Sequence, residues 1–483
     1  MKIKTTLISA AALTLAVTSL QAKSFKRGVS ENQFQYKAQL EALAPGVTWY
    51  YNWGNTTGRY IANETYMEYI PMCWNGNYSA DNIRNYVTEH PEVKYLLGFN
   101  EPNFTNQANM TPAAAAAAWP AVKALADELG LGLVAPALNY SPNPPYTNPS
   151  QWMDEFVALV GNDAFDYVAV HSYGGPGVMK ALATTFHEKY GKPVWVTEFC
   201  YWPEEGNANS TVAPETQISA MMEAVEWLEK TEWIYRYAWF KAVGESSASK
   251  GPNYGLLLSG KGEAERKLSP QGKVYVYMSD FDKDVYHPVN TPVPAKDYIS
   301  QYGCLLGAAN NPASEAQIEI TRFNAGAWVD YQFDVPQSGA YKVVLDVAGM
   351  GEPTRFDPTI TIKSVSADGT ATELCPARQF ALSNSMTDYR QESFAVTLPA
   401  GKLTIRIADA NQYSPSGIVI STVTLADESG IEGVEADTLS PTSPVNVYSM
   451  QGILIRADAD PVAPLSDLPT GIYIVNGNKL IKQ

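Results

Sequence analysis

Residues 95–101 of the chain read YLLGFNE, an apolar run that ends in an amide and a carboxylate. Residues 193–198 read PVWVTE and end in the same way. A short apolar run without alternating polar residues is typical of a strand that is buried on both faces, as in a parallel sheet. The sequence therefore predicts two buried strands, each of which leads directly to a glutamate.

Similar runs recur from residue 27 to residue 240, and segments with helical character separate them. The predicted strands cover residues 27–29, 48–51, 69–72, 95–99, 133–135, 167–170, 193–196 and 235–240, of which the first is the shortest. Predicted helices include 111–129, with Thr111 as the cap and Pro112 in the first turn, and 214–230. Eight buried strands that alternate with helices predict a (β/α)₈ TIM barrel over residues 23–285.

The chain changes character after the barrel. Proline-rich residues 286–292 predict a linker, and period-two alternation then begins, as in WVDYQF at 328–333. Alternation with turn residues between the runs predicts an antiparallel β-sandwich of jelly-roll type over residues 293–427. An acidic stretch, 428–444, predicts a second linker before a small C-terminal β domain at 445–483.

Composition limits the partners. Of 483 residues, 45% are hydrophobic and 17% charged, which is typical of globular domains. The formal net charge of −16 argues against nucleic acid and anionic membrane surfaces, because phosphates would be repelled. The binding of a neutral polysaccharide would not be affected by this charge. We also expect the protein to be a monomer.

The N-terminus resembles a targeting segment. Lys2 and Lys4 precede an apolar run at 7–20, and Leu20-Gln21-Ala22 forms a plausible cleavage site. This pattern predicts a signal peptide at residues 1–22 and a secreted or cell-surface protein. No later run approaches the roughly 18 apolar residues of a membrane span, so we expect none.

Cysteines and histidines are few. Cys304 and Cys375 lie in one region and could pair, whereas Cys73 and Cys200 each end an apolar run and are expected to be buried thiols. The pairing stays open at this point. Four histidines without a His-Glu-x-x-His motif, and no Cys-x-x-Cys, make catalytic zinc improbable. We predict neither a metal nor a cofactor.

The two glutamates after the fourth and seventh strands are the candidate catalytic residues. All strands of a parallel barrel point their C-terminal ends at one mouth, so Glu101 and Glu198 should meet there. Cleavage of a glycosidic bond needs one protonated and one ionised carboxyl group. The pair therefore predicts a glycoside hydrolase. Two unrelated loop glutamates, or a glycan-binding protein with a degenerate barrel, are the alternatives.

Other strand-end side chains are candidate substrate contacts. Aromatic rings suit the flat apolar faces of sugars, although each ring could instead pack in the core. His171 and Tyr173 end the sixth strand and could contact substrate or fix the carboxylates, with core roles as the alternative. The aromatic candidates at or near strand ends are Trp53, Trp74, Trp202 and Trp239.

Several segments resemble known glycosidases. Asn100-Glu101-Pro102 and Thr197-Glu198-Phe199 resemble the retaining enzymes of clan A. More narrowly, residues 26–280 resemble glycoside hydrolase family 128, the small-barrel endo-β-1,3-glucanases, through residues 26–29, 49–54, 71–76, 97–103 and 170–173. The resemblance implies an endo-acting retaining β-1,3-glucanase with Glu101 as acid/base and Glu198 as nucleophile. Asn100 would bind the sugar 2-hydroxyl, and Asn75 would contact the substrate. Another β-linked glycan is the alternative substrate.

The two later domains also show resemblances. Residues 324–331, NAGAWVDY, are similar to carbohydrate-binding modules of family 6, which implies glycan binding. No aromatic residue occurs at 416–419, just before the last strand, so a structural spacer is the alternative. Residues 447–452 and 468–475 resemble the C-terminal sorting domains of Bacteroidetes secretion substrates, which implies secretion machinery as a partner.

Overall fold

A computed structural model of the chain defines the fold. It describes residues 23–58, 60–61, 64–204, 210–244, 246, 251–258, 266–311, 314–350, 356–427, 445–448, 454–459, 464–468, 471–475 and 478–482. The predicted signal peptide at 1–22 and the predicted linker at 428–444 lie outside the described residues.

The first part of the chain alternates strands and helices. The strands are β1 (Arg27–Ser30), β2 (Trp49–Tyr51), β3 (Glu68–Tyr69), β4 (Tyr95–Leu97), β5 (Gly132–Leu138), β6 (Tyr167–Ser172), β7 (Val194–Phe199) and β8 (Ile234–Phe240). The helices are α1 (Lys37–Leu43), α2 (Ala80–Glu89), α3 (Pro112–Leu129), α4 (Pro149–Val160), α5 (Pro176–Tyr190), α6 (Pro214–Lys230) and α7 (Pro270–Tyr277).

These strands form one parallel sheet that closes on itself. Its order is β3-β2-β1-β8-β7-β6-β5-β4. A parallel bridge between Met72 and Leu97, with the Cys73 amide donating to the Leu97 carbonyl at 2.9 Å, joins the two ends of this order. The predicted barrel is therefore confirmed, and each predicted run contributes to a strand.

Helix α3 illustrates how local sequence sets the elements. The Thr111 hydroxyl accepts a hydrogen bond from the Ala114 amide, and Pro112 occupies the first turn, where no amide donor is needed. Gly130 ends the helix in the left-handed conformation, with φ +66°. Trp119 lies on the buried face and packs edge-on against Phe99, just beyond β4. The helix thus covers the strand that leads to Glu101.

The second part of the chain is an antiparallel sheet. Its strands are β9 (His287–Pro288), β10 (Val293–Pro294), β11 (Ser300–Ala308), β12 (Ile318–Val335), β13 (Gly339–Gly349), β14 (Thr359–Val365), β15 (Ala371–Gln379), β16 (Ser385–Leu398), β17 (Gly401–Asp409) and β18 (Ile418–Asp427). The main order is β15-β14-β17-β12-β18-β13-β16, and β11 pairs with β12. The antiparallel sheet predicted for this region is confirmed, while the jelly-roll arrangement stays a prediction. The predicted linker at 286–292 contains β9, which pairs in parallel with β12.

The C-terminal segment forms a small antiparallel sheet. Its order is β20-β19-β21-β22, with β19 (Val445–Tyr448), β20 (Leu454–Ala459), β21 (Gly471–Val475) and β22 (Asn478–Lys482).

The barrel and the following sheet share one hydrophobic core. The Ser300 hydroxyl on β11 donates to Glu226 on α6 at 2.7 Å, and the Leu306 amide lies 3.3 Å from the Met222 sulfur. Because apolar side chains of both parts are buried together, the second sheet is packed on the outer helices of the barrel.

The four cysteines are free thiols. Cys304 lies on β11, where its sulfur contacts the Trp328 carbonyl at 3.3 Å, and Cys375 lies on β15. The possible pairing of Cys304 with Cys375 is not formed, because β12, β17 and β14 separate their strands in the sheet. The prediction that Cys73 and Cys200 are buried thiols is confirmed.

None of the helices in the described part of the chain combines the length and the apolar character required to cross a bilayer.

Arg27 on β1 joins the N-terminal end of the barrel to its surrounding helices. The guanidinium is buried and donates to the carbonyls of Tyr275 and Met278, at the end of α7. It also pairs with Glu229 on α6 at 3.2 Å and donates to the Tyr237 hydroxyl at 3.0 Å. One buried cation thus connects β1, β8, α6 and α7.

We expect Arg27→Ala to lower the free energy of unfolding by about 3–5 kcal/mol, because the substitution leaves the Glu229 charge buried without its partner. Chemical denaturation followed by tryptophan fluorescence measures the change. The matched control is Arg84→Ala, which removes an exposed arginine that pairs with Glu128 at 2.8 Å. Surface pairs contribute little, so the control should unfold like the unchanged protein. Equal loss in both variants would contradict the assigned role of Arg27.

Candidate active site

Strands β4 and β7 carry two buried glutamates to the same end of the barrel. Glu198 is the fifth residue of β7, and Glu101 follows β4, where its amide donates to the Ala137 carbonyl at 2.9 Å. The side chains are almost fully buried, with exposures of 5% for Glu101 and 4% for Glu198. Glu101 adopts φ +42° and Trp53 adopts φ +58°, which is strained for residues other than glycine. Such strain is concentrated at functional sites.

His171, at the end of β6, lies between the two glutamates. Its Nδ1 is 2.9 Å from Glu101 Oε1, and its Nε2 is 2.9 Å from the Thr197 hydroxyl and 3.5 Å from Glu198 Oε1. One nitrogen of His171 and one oxygen of each glutamate lie within 4.8 Å of one another. The structure therefore brings together three predicted residues that are far apart in the sequence.

Three donors converge on Glu198. The Tyr51 hydroxyl and the Trp53 Nε1 donate to Oε1 at 3.0 and 2.8 Å, and the Tyr173 hydroxyl makes a short hydrogen bond to Oε2. An indole N–H can only donate, so Oε1 must act as an acceptor. Hydrogen bonds of this kind favour the ionised carboxylate.

Burial raises the pKa of Glu198, and the neighbouring Glu101 carboxylate raises it further. His171 lowers the pKa, and this effect is smaller than that of burial but larger than that of Glu101. The hydrogen bonds from Tyr173 and Trp53 also lower the pKa, by smaller amounts. Burial also raises the pKa of Tyr173 well above its usual range, with the charge of Glu198 as the next cause. The phenol therefore stays protonated and remains a donor at neutral pH.

Asn100 lies directly before Glu101 and is 3% exposed. Its Nδ2 donates to Gln107 Oε1 at 3.3 Å, whereas its Oδ1 has no hydrogen-bond partner within the described part of the chain. A buried acceptor without a partner is costly. Asn100 thus offers an open acceptor beside the glutamates.

Most of the predicted aromatic contacts lie partly exposed at the mouth. Trp53, which follows β2, and Trp74, which follows β3, are half-buried. The predicted polar contact Asn75 comes directly after Trp74 and is also half-buried. Trp202, after β7, is half-buried and meets the Tyr173 ring edge-on, with centroids 6.3 Å apart.

Trp239 is the exception, and its prediction as a substrate contact is wrong. It is 1% exposed, its Nε1 donates to the Tyr254 carbonyl at 2.7 Å, and its ring packs against Phe199 and Tyr275. Side chains alternate along a strand, so Trp239 faces the helical layer. The next residue, Phe240, is half-buried and packs on the Trp53 and Tyr173 rings instead.

The sequence prediction missed Tyr51, Thr197, Gln107 and Phe240 at this site. Strand alternation puts Phe240 and Trp239 on opposite faces of β8, but it does not tell which of the two faces the mouth. Tyr51 is the last residue of β2, and the same position at the end of a strand predicted the two candidate catalytic glutamates. No local pattern points to Thr197 or Gln107.

Glu101, His171 and Glu198 are also residue types that could hold a divalent cation. Both ring nitrogens of His171 already have partners in Glu101 and Thr197. A cation would have to replace at least one of these contacts. The observed arrangement is therefore a hydrogen-bonded set of acids and bases.

Comparisons with known proteins show a family and several similar chains. Residues 28–275, which include both glutamates, match the family described as glycosyl hydrolase catalytic core. Alkali-sensitive linkage protein 1 of Schizosaccharomyces pombe is 27% identical over 233 residues, or 48% of this chain and 40% of that protein. The match thus spans less than half of that relative.

Two solved structures are endo-β-1,3-glucanases of glycoside hydrolase family 128, subgroup II. The enzyme from Pseudomonas viridiflava is 34% identical, with a TM-score of 0.47 over 53% of this chain and 98% of that one. The enzyme from Sorangium cellulosum is 31% identical, with a TM-score of 0.45 over 52% of this chain and 97% of that one. Since the family match covers more than half of the 483 residues, the chain belongs to the glycosyl hydrolase catalytic core family.

Proposed function

We propose that the protein is a retaining endo-acting glycoside hydrolase that cleaves β-1,3-glucan, with Glu198 as nucleophile and Glu101 as acid/base. The observation that carries this proposal is the approach of the two carboxyl groups across His171, with atoms within 4.8 Å. Retaining glycosidases hold their carboxyl groups about 5 Å apart, whereas inverting ones need room for a water between them.

The hydrogen bonds support the division of roles. Glu198 accepts hydrogen bonds from Tyr51, Trp53 and Tyr173, so the ionised form is favoured there. Double displacement needs one ionised carboxylate to attack and one carboxylic acid to protonate the leaving oxygen, so the proposal assigns the acid role to Glu101. His171 contacts both groups and holds the Glu101 oxygen in place.

The reaction then proceeds in two displacements. A Glu198 oxygen bonds to the anomeric carbon, the glycosidic C–O bond breaks, and the Glu101 proton passes to the leaving oxygen. Glu101, now ionised, takes a proton from water, and the hydroxide oxygen attacks the anomeric carbon. This second step releases Glu198 as a carboxylate and restores the proton on Glu101.

Neighbouring side chains fit a sugar at the point of cleavage. The open Oδ1 of Asn100 would accept a hydrogen bond from the 2-hydroxyl, which can strengthen as the transition state develops. The half-exposed rings of Trp53, Trp74 and Trp202 would stack on sugar faces, and Asn75 would add a polar contact.

The choice of β-1,3-glucan rests on the segments that resemble family 128. Those segments supply Trp53, Trp74, Glu101, His171 and Tyr173, all at the mouth of the barrel. The same proposal has the enzyme act outside the cell, because residues 1–22 have the pattern of a signal peptide and 445–483 resemble sorting domains. Glycan binding by the second sheet would hold the substrate near the barrel.

Substitution of the glutamates tests the roles. We expect Glu198→Gln to abolish hydrolysis of β-1,3-glucan, because the nucleophile is lost. Glu101→Gln should lower kcat/KM on glucan by about 10²–10⁴-fold but affect β-laminaritriosyl fluoride much less, since fluoride departs without a full proton. Rates of reducing-sugar and fluoride release measure the two effects.

Glu31→Gln is the matched control for these variants. Glu31 is equally buried beyond the end of β1, and its carboxylate accepts from the Val243 amide rather than contacting the pair. This variant should keep its activity. Undiminished hydrolysis by both Glu101→Gln and Glu198→Gln would exclude the mechanism, and a wild-type protein that binds glucan without cleaving it would be a binding protein.

The pH profile tests the electrostatics of Glu198. The group must be ionised to attack, so kcat/KM falls as the pH drops through its raised pKa. Trp53→Phe removes a hydrogen bond that lowers this pKa, so we expect the acid limb of the profile to move to higher pH. Trp74 makes no hydrogen bond to Glu198 within the described part of the chain. Trp74→Phe should therefore change KM without moving the acid limb of the pH profile. A shift to lower pH in Trp53→Phe would contradict this assignment.

The stereochemical course tests the spacing of the carboxyl groups. We expect the newly formed reducing end to appear first as the β anomer, because two displacements restore the configuration. Proton NMR of a laminari-oligosaccharide during the first minutes of hydrolysis distinguishes the anomers before they interconvert. Initial formation of the α anomer would mean single displacement and would exclude Glu198 as a nucleophile.

A further inference from the structure

The loop between β5 and α4, residues 139–148, forms the wall of the mouth next to Glu101. The backbone beyond β4 runs beside β5, since Asn100 forms a parallel bridge with Ala137 and the Glu101 amide donates to the Ala137 carbonyl. Tyr140 lies three residues beyond Ala137, past the C-terminal end of β5. Its backbone therefore lies at the mouth end of the barrel, in the loop beside the segment that carries Glu101.

Hydrogen bonds attach this loop to the loop that follows Glu101. Asn103 is buried and its Nδ2 donates to the carbonyls of Asn139 at 2.8 Å and Tyr146 at 3.3 Å. The Ser141 hydroxyl donates to the Asn103 carbonyl at 3.0 Å. The Thr105 amide donates to Asn143 Oδ1 at 3.1 Å. Asn103 and its partners thus connect both ends of the β5–α4 loop to the segment that carries Glu101.

The β5–α4 loop carries a large aromatic side chain, Tyr140, that is exposed to solvent. Tyr140 is 49% exposed, while its amide donates to Asn139 Oδ1 at 2.8 Å. A half-exposed ring on a fixed backbone loses little conformational entropy when a ligand stacks on it. Aromatic rings with a polar edge suit the apolar faces of pyranose units.

The position of the acid determines which part of the substrate this ring can meet. Glu101 delivers its proton to the glycosidic oxygen, so the sugars that leave lie on its flank. Trp53, in contrast, donates a hydrogen bond to Glu198, the other carboxyl group of the pair. We propose that Tyr140, held by the Asn103 hydrogen bonds, binds the glucosyl units of the leaving group. This inference rests on the proposed function and adds a specificity-determining residue to it.

The test compares two substrates that share the same glycone. Laminaripentaose, tagged at its reducing end, places sugars on the leaving side, whereas the fluoride of β-laminaritriosyl fluoride occupies no sugar subsite there. We expect Tyr140→Ala to lower kcat/KM on the tagged pentasaccharide about tenfold and to leave the fluoride within about twofold. Tyr140→Phe should keep most of the activity on both, because the ring remains.

Tyr66→Ala is the matched control. Tyr66 is 39% exposed and its hydroxyl donates to Glu41 on α1 at 2.8 Å, so its removal should alter neither rate. If Tyr140→Ala slows both substrates equally, or slows neither, the proposal for Tyr140 is overturned while the glycosidase remains. If the wild-type protein hydrolyses neither substrate, the proposed function itself has failed.

Discussion

The close approach of two buried carboxyl groups is the constraint on which the rest of the site depends. Glu101 and Glu198 are almost fully buried, so charge on both would be costly without compensation. His171 lies between them, and the hydrogen bonds from Tyr51, Trp53 and Tyr173 go to Glu198 rather than to Glu101. This one-sided supply of donors makes the two glutamates chemically different, although they are the same residue type at the same depth.

At the opposite end of the barrel, a buried charge is neutralised by a partner of opposite sign. Arg27 is as buried as the glutamates, but it faces the oppositely charged Glu229 and three carbonyl oxygens. A fully paired charge stabilises the connection between strands and helices and offers no group for chemistry. In parallel barrels the C-terminal end carries the active site and the N-terminal end carries stability. The two charge environments of this protein follow that division.

The loops at the mouth are tied to each other as well as to the strands. Asn103 connects the segment after β4 to the loop after β5, and Phe240 packs between the Trp53 and Tyr173 rings. These contacts join neighbouring strand ends into one wall around the carboxyl pair. The second sheet, by contrast, shares a core with the barrel and contacts its outer helix α6.

The sequence by itself determined the barrel, the antiparallel sheet and the positions of both glutamates. These features depend on local patterns, since a strand buried on both faces must be apolar along its length and a parallel barrel turns all its strand ends to one side. Only the tertiary structure decided that Phe240 rather than Trp239 faces the mouth, that Cys304 and Cys375 stay apart, and which donors reach Glu198. Those outcomes depend on the direction of each side chain and on partners from distant strands, and neither is encoded within a short segment.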